Sequence, residues 1–205
     1  VFYEASQVPI PAFLPDTSET REELAQYYQS VSRIDQGVAR LAEILKENGL
    51  YEKTLIVFTS DHGMAFAGGK TTVYEGGLRV PFVVRNPYEK KRGVRHQAMI
   101  SHIDITPSLL DFAGVLEPKN NRPSGWKDPN KSFPIPKSKA PKDNRGITGK
   151  LSSYHGKSWL GILGQAGAKH WESIFASHTF HEIQMYYPMR VYRDQEYKLI
   201  WNIAH

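Results

Sequence analysis

Ser60-Asp61-His62-Gly63 stands directly behind an apolar run, Thr54-Leu55-Ile56-Val57-Phe58-Thr59. In open α/β sheets ligands gather beyond the carboxyl ends of strands, so an adjacent carboxylate and imidazole placed there can be offered to one metal ion. Gly63 lets the backbone turn away behind the pair. A plainer role stands beside this one, in which Asp61 caps the next segment and His62 satisfies a backbone group. The second candidate is Gly68-Gly69-Lys70-Thr71-Thr72-Val73-Tyr74-Glu75-Gly76-Gly77, a loop able to fold back over the same strand end. Its lysine supplies a point charge for an oxyanion and its glycines admit close backbone approach, although a loop lysine is commonly just solvated. It is not a Walker loop, which needs an earlier glycine and a following helix. Gly156-Lys157-Ser158 fails the same test, with Leu151 where the first glycine belongs.

Other polar residues read as structural. Asp104 and His102 precede a helix and suit a cap or turn better than catalysis. His178 and His181 lie three apart without the carboxylate-rich surroundings of a metal site. Trp126, Trp159, Trp171 and Trp201 are scattered, which suits core or pocket-wall packing.

The elements that must position the candidates follow from periodicity. Pro9 to Pro15 should be extended and packed. Thr20, with Glu23 behind it as a capping box, opens a long helix whose stripe is Leu24, Tyr28, Val31, Ile34, Val38, Leu41 and Leu45, closed by Asn48-Gly49. The uninterrupted run 54–60 indicates a strand covered on both faces, as in a parallel sheet, and Val80 to Val84 a second strand. Thr106 as N-cap, Pro107 at the first helical position and Gly114 at the end mark a short helix. Ser173 to Ser177 reads as a strand, and Met189 to Tyr192 and Tyr197 to Trp201 as a hairpin around Arg193-Asp194-Gln195-Glu196. The fold class is therefore α/β followed by a small antiparallel sheet.

The chain has 205 residues, 40% of them apolar, enough for a real core. The absence of cysteine excludes disulfides, thiolate zinc sites, iron–sulfur clusters and a cysteine nucleophile within these residues. No apolar run approaches the roughly 20 residues that span a bilayer. The net charge of +5 is local: residues 117–147 hold eight Lys or Arg against three acids, and six prolines. Such a basic, Pro-rich stretch reads as a surface loop or insertion, and a nucleic-acid partner is not expected. Asn130-Lys131-Ser132 within it is a glycosylation sequon, relevant only in a eukaryotic secretory route. Both ends of the chain read as cuts. The expected division is 1–116 as the later part of an α/β domain, 117–147 as the insertion, and 148–205 as the start of a smaller antiparallel-sheet subdomain.

Three ordered blocks carry a resemblance: Tyr28 to Leu45, Thr54 to Gly63, and Gly69 to Pro81. With Ser101 to Asp111 as a fourth, they closely resemble the sulfatase family, over most of residues 20–115. Within it, Val8 to Thr17 and His181 to Arg190 look most like the heparan N-sulfatases, or sulfamidases. The resemblance implies an alkaline-phosphatase-like mixed sheet flanked by helices, and a smaller sheet domain after it. It implies that Asp61 and His62 ligate a divalent cation, calcium by default, and that Lys70 contacts sulfate. Many sulfatases have Asn where His62 stands. Imidazole is a softer ligand than an amide oxygen, which makes manganese or another transition metal more plausible. His181 and Glu182 fall where a sulfamidase-like pocket wall receives the sugar, and a hydrogen-bonded pair at a sheet edge is an equal reading.

The family's formylglycine motif, its first metal-binding acids and its upstream lysine and histidines are not in these residues, so formylglycine is expected outside this chain. The function implied is hydrolysis of a sulfated sugar, N-sulfoglucosamine of a heparan-type glycan first. The alternatives are a phosphodiester or phosphonate monoester hydrolase on the same scaffold, suggested by Asp61-His62, and a non-catalytic polyanion-binding fragment using 117–147. The expected location is periplasm, lysosome or medium, with a homodimer among the assemblies allowed.

Overall fold

The computed structural model describes residues 1–114, 155–181 and 185–203. Contacts group the chain into one unit of Val1–Pro87, Phe175–Tyr192 and Leu199–His205, and a second of Tyr88–Ile174 and Arg193–Lys198. The expected boundaries near 116 and 147, the basic stretch, Trp126, the sequon and Glu182 lie outside the described residues.

In the first unit, helix α1 spans Ser18–Glu47. Its N-cap is Thr17, extended and accepting from the Thr20 amide at 3.2 Å, so the helix starts before the Thr20 expected from sequence. Several residues here can cap. The extended backbone of Thr17 decides which does, and Asp16 just ahead of the cap grips Arg21 with two bonds of 2.6 and 2.7 Å. The other end follows expectation, with Asn48 as C-cap and Gly49 at φ 66°. The lead-in is only in part as expected: Val8 just before it is buried and the Tyr28 hydroxyl donates to Pro9 O at 2.9 Å, but the Leu14 amide donates to Pro11 O at 2.9 Å, which makes a turn inside the Pro-spaced segment, and none of residues 9–15 is buried. Of the apolar stripe, Leu24 is fully buried, whereas Val31, Ile34 and Leu41 stay exposed among the described residues.

Strand β1 (Ile56–Thr59) pairs with β2 (Phe82–Arg85) in register Ile56↔Arg85 to Thr59↔Phe82, and the pairing is antiparallel. This corrects the parallel pairing read from the apolar run. All four β1 residues are half-buried and Val83 is 61% exposed. A continuous apolar run reports expected cover, not direction. Direction is set by the intervening residues, which fold into a compact loop with the short helix α2 (Glu75–Leu78) instead of a crossover packed on the sheet. Arg85 locks the far end: its guanidinium lies 3.6 Å above the Tyr51 ring centre and donates to Tyr51 O at 2.6 Å.

The later strands β3 (Ile174–His181), β4 (Met185–Arg193) and β5 (Lys198–Asn202) form a sheet in that order. Connections this short force neighbours to be antiparallel, as expected. The β4–β5 turn is held by Asp194, whose carboxylate accepts from the Glu196 and Tyr197 amides at 2.9 and 2.6 Å. One face of the sheet, Met189 and Val191 with Ala176 and Ile200, packs on Val73 of the Gly-rich loop. Trp201, on the strand position next to Ile200, is 62% exposed and so is not a core residue.

In the second unit a 3-10 turn, His102–Asp104, leads into α3 (Ile105–Phe112). The capping box is Ser101 with Asp104, so Thr106 is not the cap expected from sequence and Pro107 sits inside the first turn, where its missing N–H costs nothing. Gly114, at φ 70°, ends the helix as expected. Asp104 is fully buried and structural, as anticipated. It accepts from the Ser101 and Lys157 amides at 2.8 and 2.9 Å and from the Trp171 indole at 2.9 Å. His170 Nε2 lies 3.3 Å from the same carboxylate, an electrostatic approach without hydrogen-bond alignment. Trp159 is buried, with its amide bonded to Ser108 Oγ at 3.1 Å. Gly156 and Lys157 are likewise structural, since a Cβ at 156 would lie 2.0 Å from Ile103 O.

Candidate metal and oxyanion site

β1 delivers Ser60, whose hydroxyl donates to His62 O at 2.7 Å, while the His62 amide donates to Asp61 Oδ1 at 3.0 Å. His62 Nδ1 lies 2.8 Å from Gly63 O. A carbonyl only accepts, so Nδ1 carries the hydrogen, and in the neutral ring Nε2 is left with its lone pair. That Nε2 stands 3.5 Å from Asp61 Oδ2, on side chains 41% and 84% exposed. The backbone-satisfying role is met by Nδ1, and it leaves the opposite nitrogen of the ring able to serve as a ligand. Two donor atoms at this separation fit neighbouring positions around one divalent cation, with bonds of about 2.0–2.6 Å for the metals in question. They could supply two ligands of a site and not a whole one: among the described residues no group of three or more His, Asp or Glu is arranged for a metal.

The Gly-rich loop folds back as its composition suggested. The Gly63 amide donates to Gly77 O at 3.0 Å, and a Cβ at 63 would fall 1.6 Å from Gly76 O, so only glycine fits. The Lys70 amide donates to Met64 O at 2.8 Å, which ties the lysine's backbone to the segment that follows His62. A Cβ at Gly69 would meet Met64 O at 2.2 Å, so this approach also requires glycine. Thr72 Oγ1 bonds the Gly68 and Gly69 carbonyls at 3.1 and 2.8 Å. Val73, under the three-stranded sheet, and the Phe13 ring, against Gly68 and Gly76, brace the loop. The Lys70 side chain is half-buried, and no carboxylate pairs with it among the described residues. A partly desolvated cation without a counter-charge favours an anion from solution.

Thr71 is the residue the sequence reading passed over. It has φ 67°, the only positive φ at a non-glycine among the described residues. For a β-branched residue this is strained, at a cost on the order of 1–3 kcal/mol. No local signal announces it, because threonine is among the last residues expected there.

The remaining candidates are less defined. His181 is the half-buried last residue of β3 in the same unit, and its neighbour Glu182 is outside the described residues. The His178 ring bonds Tyr187 O at 3.1 Å, which matches its structural reading.

The unit thus places an Asp-His pair at a strand end with a folded Gly-Lys loop behind it. A profile of the sulfatase family matches residues 4–115, and the chain belongs to that family. It is 33% identical over 202 residues, 98% of its length, to N-sulphoglucosamine sulphohydrolase of Homo sapiens. Over 102 residues, 47% of the chain, it is 34% identical to N-acetylglucosamine-6-O-sulfatase of Bacteroides thetaiotaomicron. Against the steryl-sulfatase of Mus musculus it is 37% identical over 109 residues, 45% of the chain. The chain spans 35% of the length of the first relative and 18% of each of the other two.

Proposed function

We propose that the protein containing these residues is a metal-dependent sulfatase that releases inorganic sulfate from a sulfated sugar, with N-sulfoglucosamine as the first substrate. The observation that carries this reading is the Asp61 Oδ2–His62 Nε2 pair, 3.5 Å apart, with a Gly-rich loop folded onto the same segment whose Lys70 meets no counter-charge among the described residues. The choice of sugar is supported by similarity to N-sulphoglucosamine sulphohydrolase along nearly the whole chain.

Asp61 and His62 would hold the cation, calcium or, given the imidazole, manganese or another transition metal. When bound, the cation supplies positive charge against sulfate oxygens. Gly63 O fixes the His62 ring so that Nε2 remains the ligating nitrogen. Lys70 binds a sulfate oxygen and opposes negative charge as the sulfur–nitrogen or sulfur–oxygen bond breaks. His181 and Glu182 are proposed as sugar contacts. The nucleophile, formylglycine by family resemblance, is assigned to residues outside this chain. Function outside the cytosol is part of the same proposal, one relative being named a putative extracellular sulfatase.

The test is ion chromatography of the products that the native full-length protein forms from N-sulfoglucosamine, with and without a chelator. Chelator-sensitive sulfate release is expected. Phosphate release from a phosphonate or phosphodiester substrate, with no sulfate from any sulfated sugar, would replace this reading with the alternative that His62 motivates.

A further inference from the structure

Thr71 combines three features that a purely structural loop residue would not need. Its backbone is in the left-handed region at φ 67°, in a loop that already uses glycine at 68, 69, 76 and 77. Glycine at 71 would adopt that conformation without strain, so the threonine side chain stands there at a conformational cost. The side chain does not repay this within the protein: neither its hydroxyl nor its amide meets a hydrogen-bond partner among the described residues, and the residue is only half-buried. The backbone and hydroxyl donors on either side of it are used, with the Lys70 amide on Met64 O and the Thr72 hydroxyl on two carbonyls. The left-handed residue therefore presents two open donors next in sequence to the Lys70 ammonium, which has no carboxylate partner among the described residues. A turn of this kind beside a cation makes a concavity for an oxyanion.

We infer that Thr71 is a second anion-binding residue of the site, donating through its hydroxyl and amide to a sulfate oxygen or to the group that bears the sulfate. This rests on the assignment of Lys70 above and adds to it a neutral donor that fixes the anion's orientation, where lysine alone gives an undirected point charge.

The experiment is calorimetric titration of inorganic sulfate into the full-length, metal-loaded protein, with thermal melts alongside. Thr71→Val keeps shape and backbone preference but loses the hydroxyl, and should weaken sulfate binding by about ten- to a hundredfold, the usual effect of one hydrogen bond to a charged group. Thr71→Ser should stay within about threefold of the parent. Thr71→Gly relieves the strain, so it should melt no lower than the parent and yet bind sulfate as weakly as Thr71→Val. Lys70→Ala reports on the underlying site. If Lys70→Ala loses sulfate while Thr71→Val and Thr71→Gly bind like the parent, Thr71 is a turn residue and the inference fails with the Lys70 assignment intact. If none of the substitutions alters sulfate binding, both assignments fall.

Discussion

Asp61 and His62 sit at the surface edge of their unit, and their partners are each other and the adjacent backbone. Function and folding therefore separate cleanly at this position. Asp61→Asn should lower metal affinity by more than about tenfold, since even indirect partners of a metal site cost that much, and should abolish turnover. Elemental analysis after dialysis and circular dichroism read the two effects; unchanged metal content would remove Asp61 from the site. Lys70→Ala should leave the metal in place and lower kcat by about 10²–10³-fold, the scale of one lost charge-stabilising donor. Metal loss in that variant would show that the lysine's role is structural.

At the scale of elements, the Gly-rich loop is held by backbone, because glycine alone permits contacts this close. Gly63→Ala would force a Cβ to within 1.6 Å of Gly76 O, and neither backbone can yield without opening the Gly63–Gly77 bond. The expected cost is about 3 kcal/mol or more, read as a fall in the urea midpoint, with turnover lost as the loop departs. A loop that keeps its stability with alanine at 63 would contradict the fold-back. In the second unit, the clip at the start of α3 has a pH signature. Burial alone would raise the Asp104 pKa, but His170, the Ser101 and Lys157 amides and the Trp171 indole together outweigh it and hold the carboxyl below its usual range. A depressed carboxylate stabilises fully above its unfolded pKa of about 4, and that contribution drains away as pH falls through the lower folded value. Tryptophan fluorescence should thus report a native second unit at about pH 5 and a loosening below about pH 4, whereas Asp104→Ala should melt lower by about 3 kcal/mol or more already at neutral pH. Equal stability of the two proteins at neutral pH would show the clip to be dispensable.

For the whole molecule, the sulfatase reading requires a nucleophile, and these 205 residues contain no cysteine. Peptide mapping of the native polypeptide should find a formylglycine-bearing peptide outside this stretch. A native mass equal to these residues would instead leave an anion-binding remnant of a sulfatase and move the polyanion-binding reading forward.

Local chemistry was legible in the sequence wherever few conformations compete. Asn48-Gly49 and Gly114 stop helices because glycine tolerates positive φ, Arg193-Asp194-Gln195-Glu196 makes the turn between β4 and β5, and Ser60-Asp61-His62-Gly63 marks a strand end. Periodicity likewise gave the α1 stripe, though not what lies against it. The direction of β2, the choice of Thr17 over Thr20, and the capping of α3 by Ser101 and Asp104 depended on competition among neighbours similar in type. Tertiary structure also decided that Val73 bears the three-stranded sheet and that the Gly-rich loop folds back on Gly63 with Thr71 strained. Such features arise from segments distant in sequence closing on one another, and no local pattern encodes the angle at which they meet.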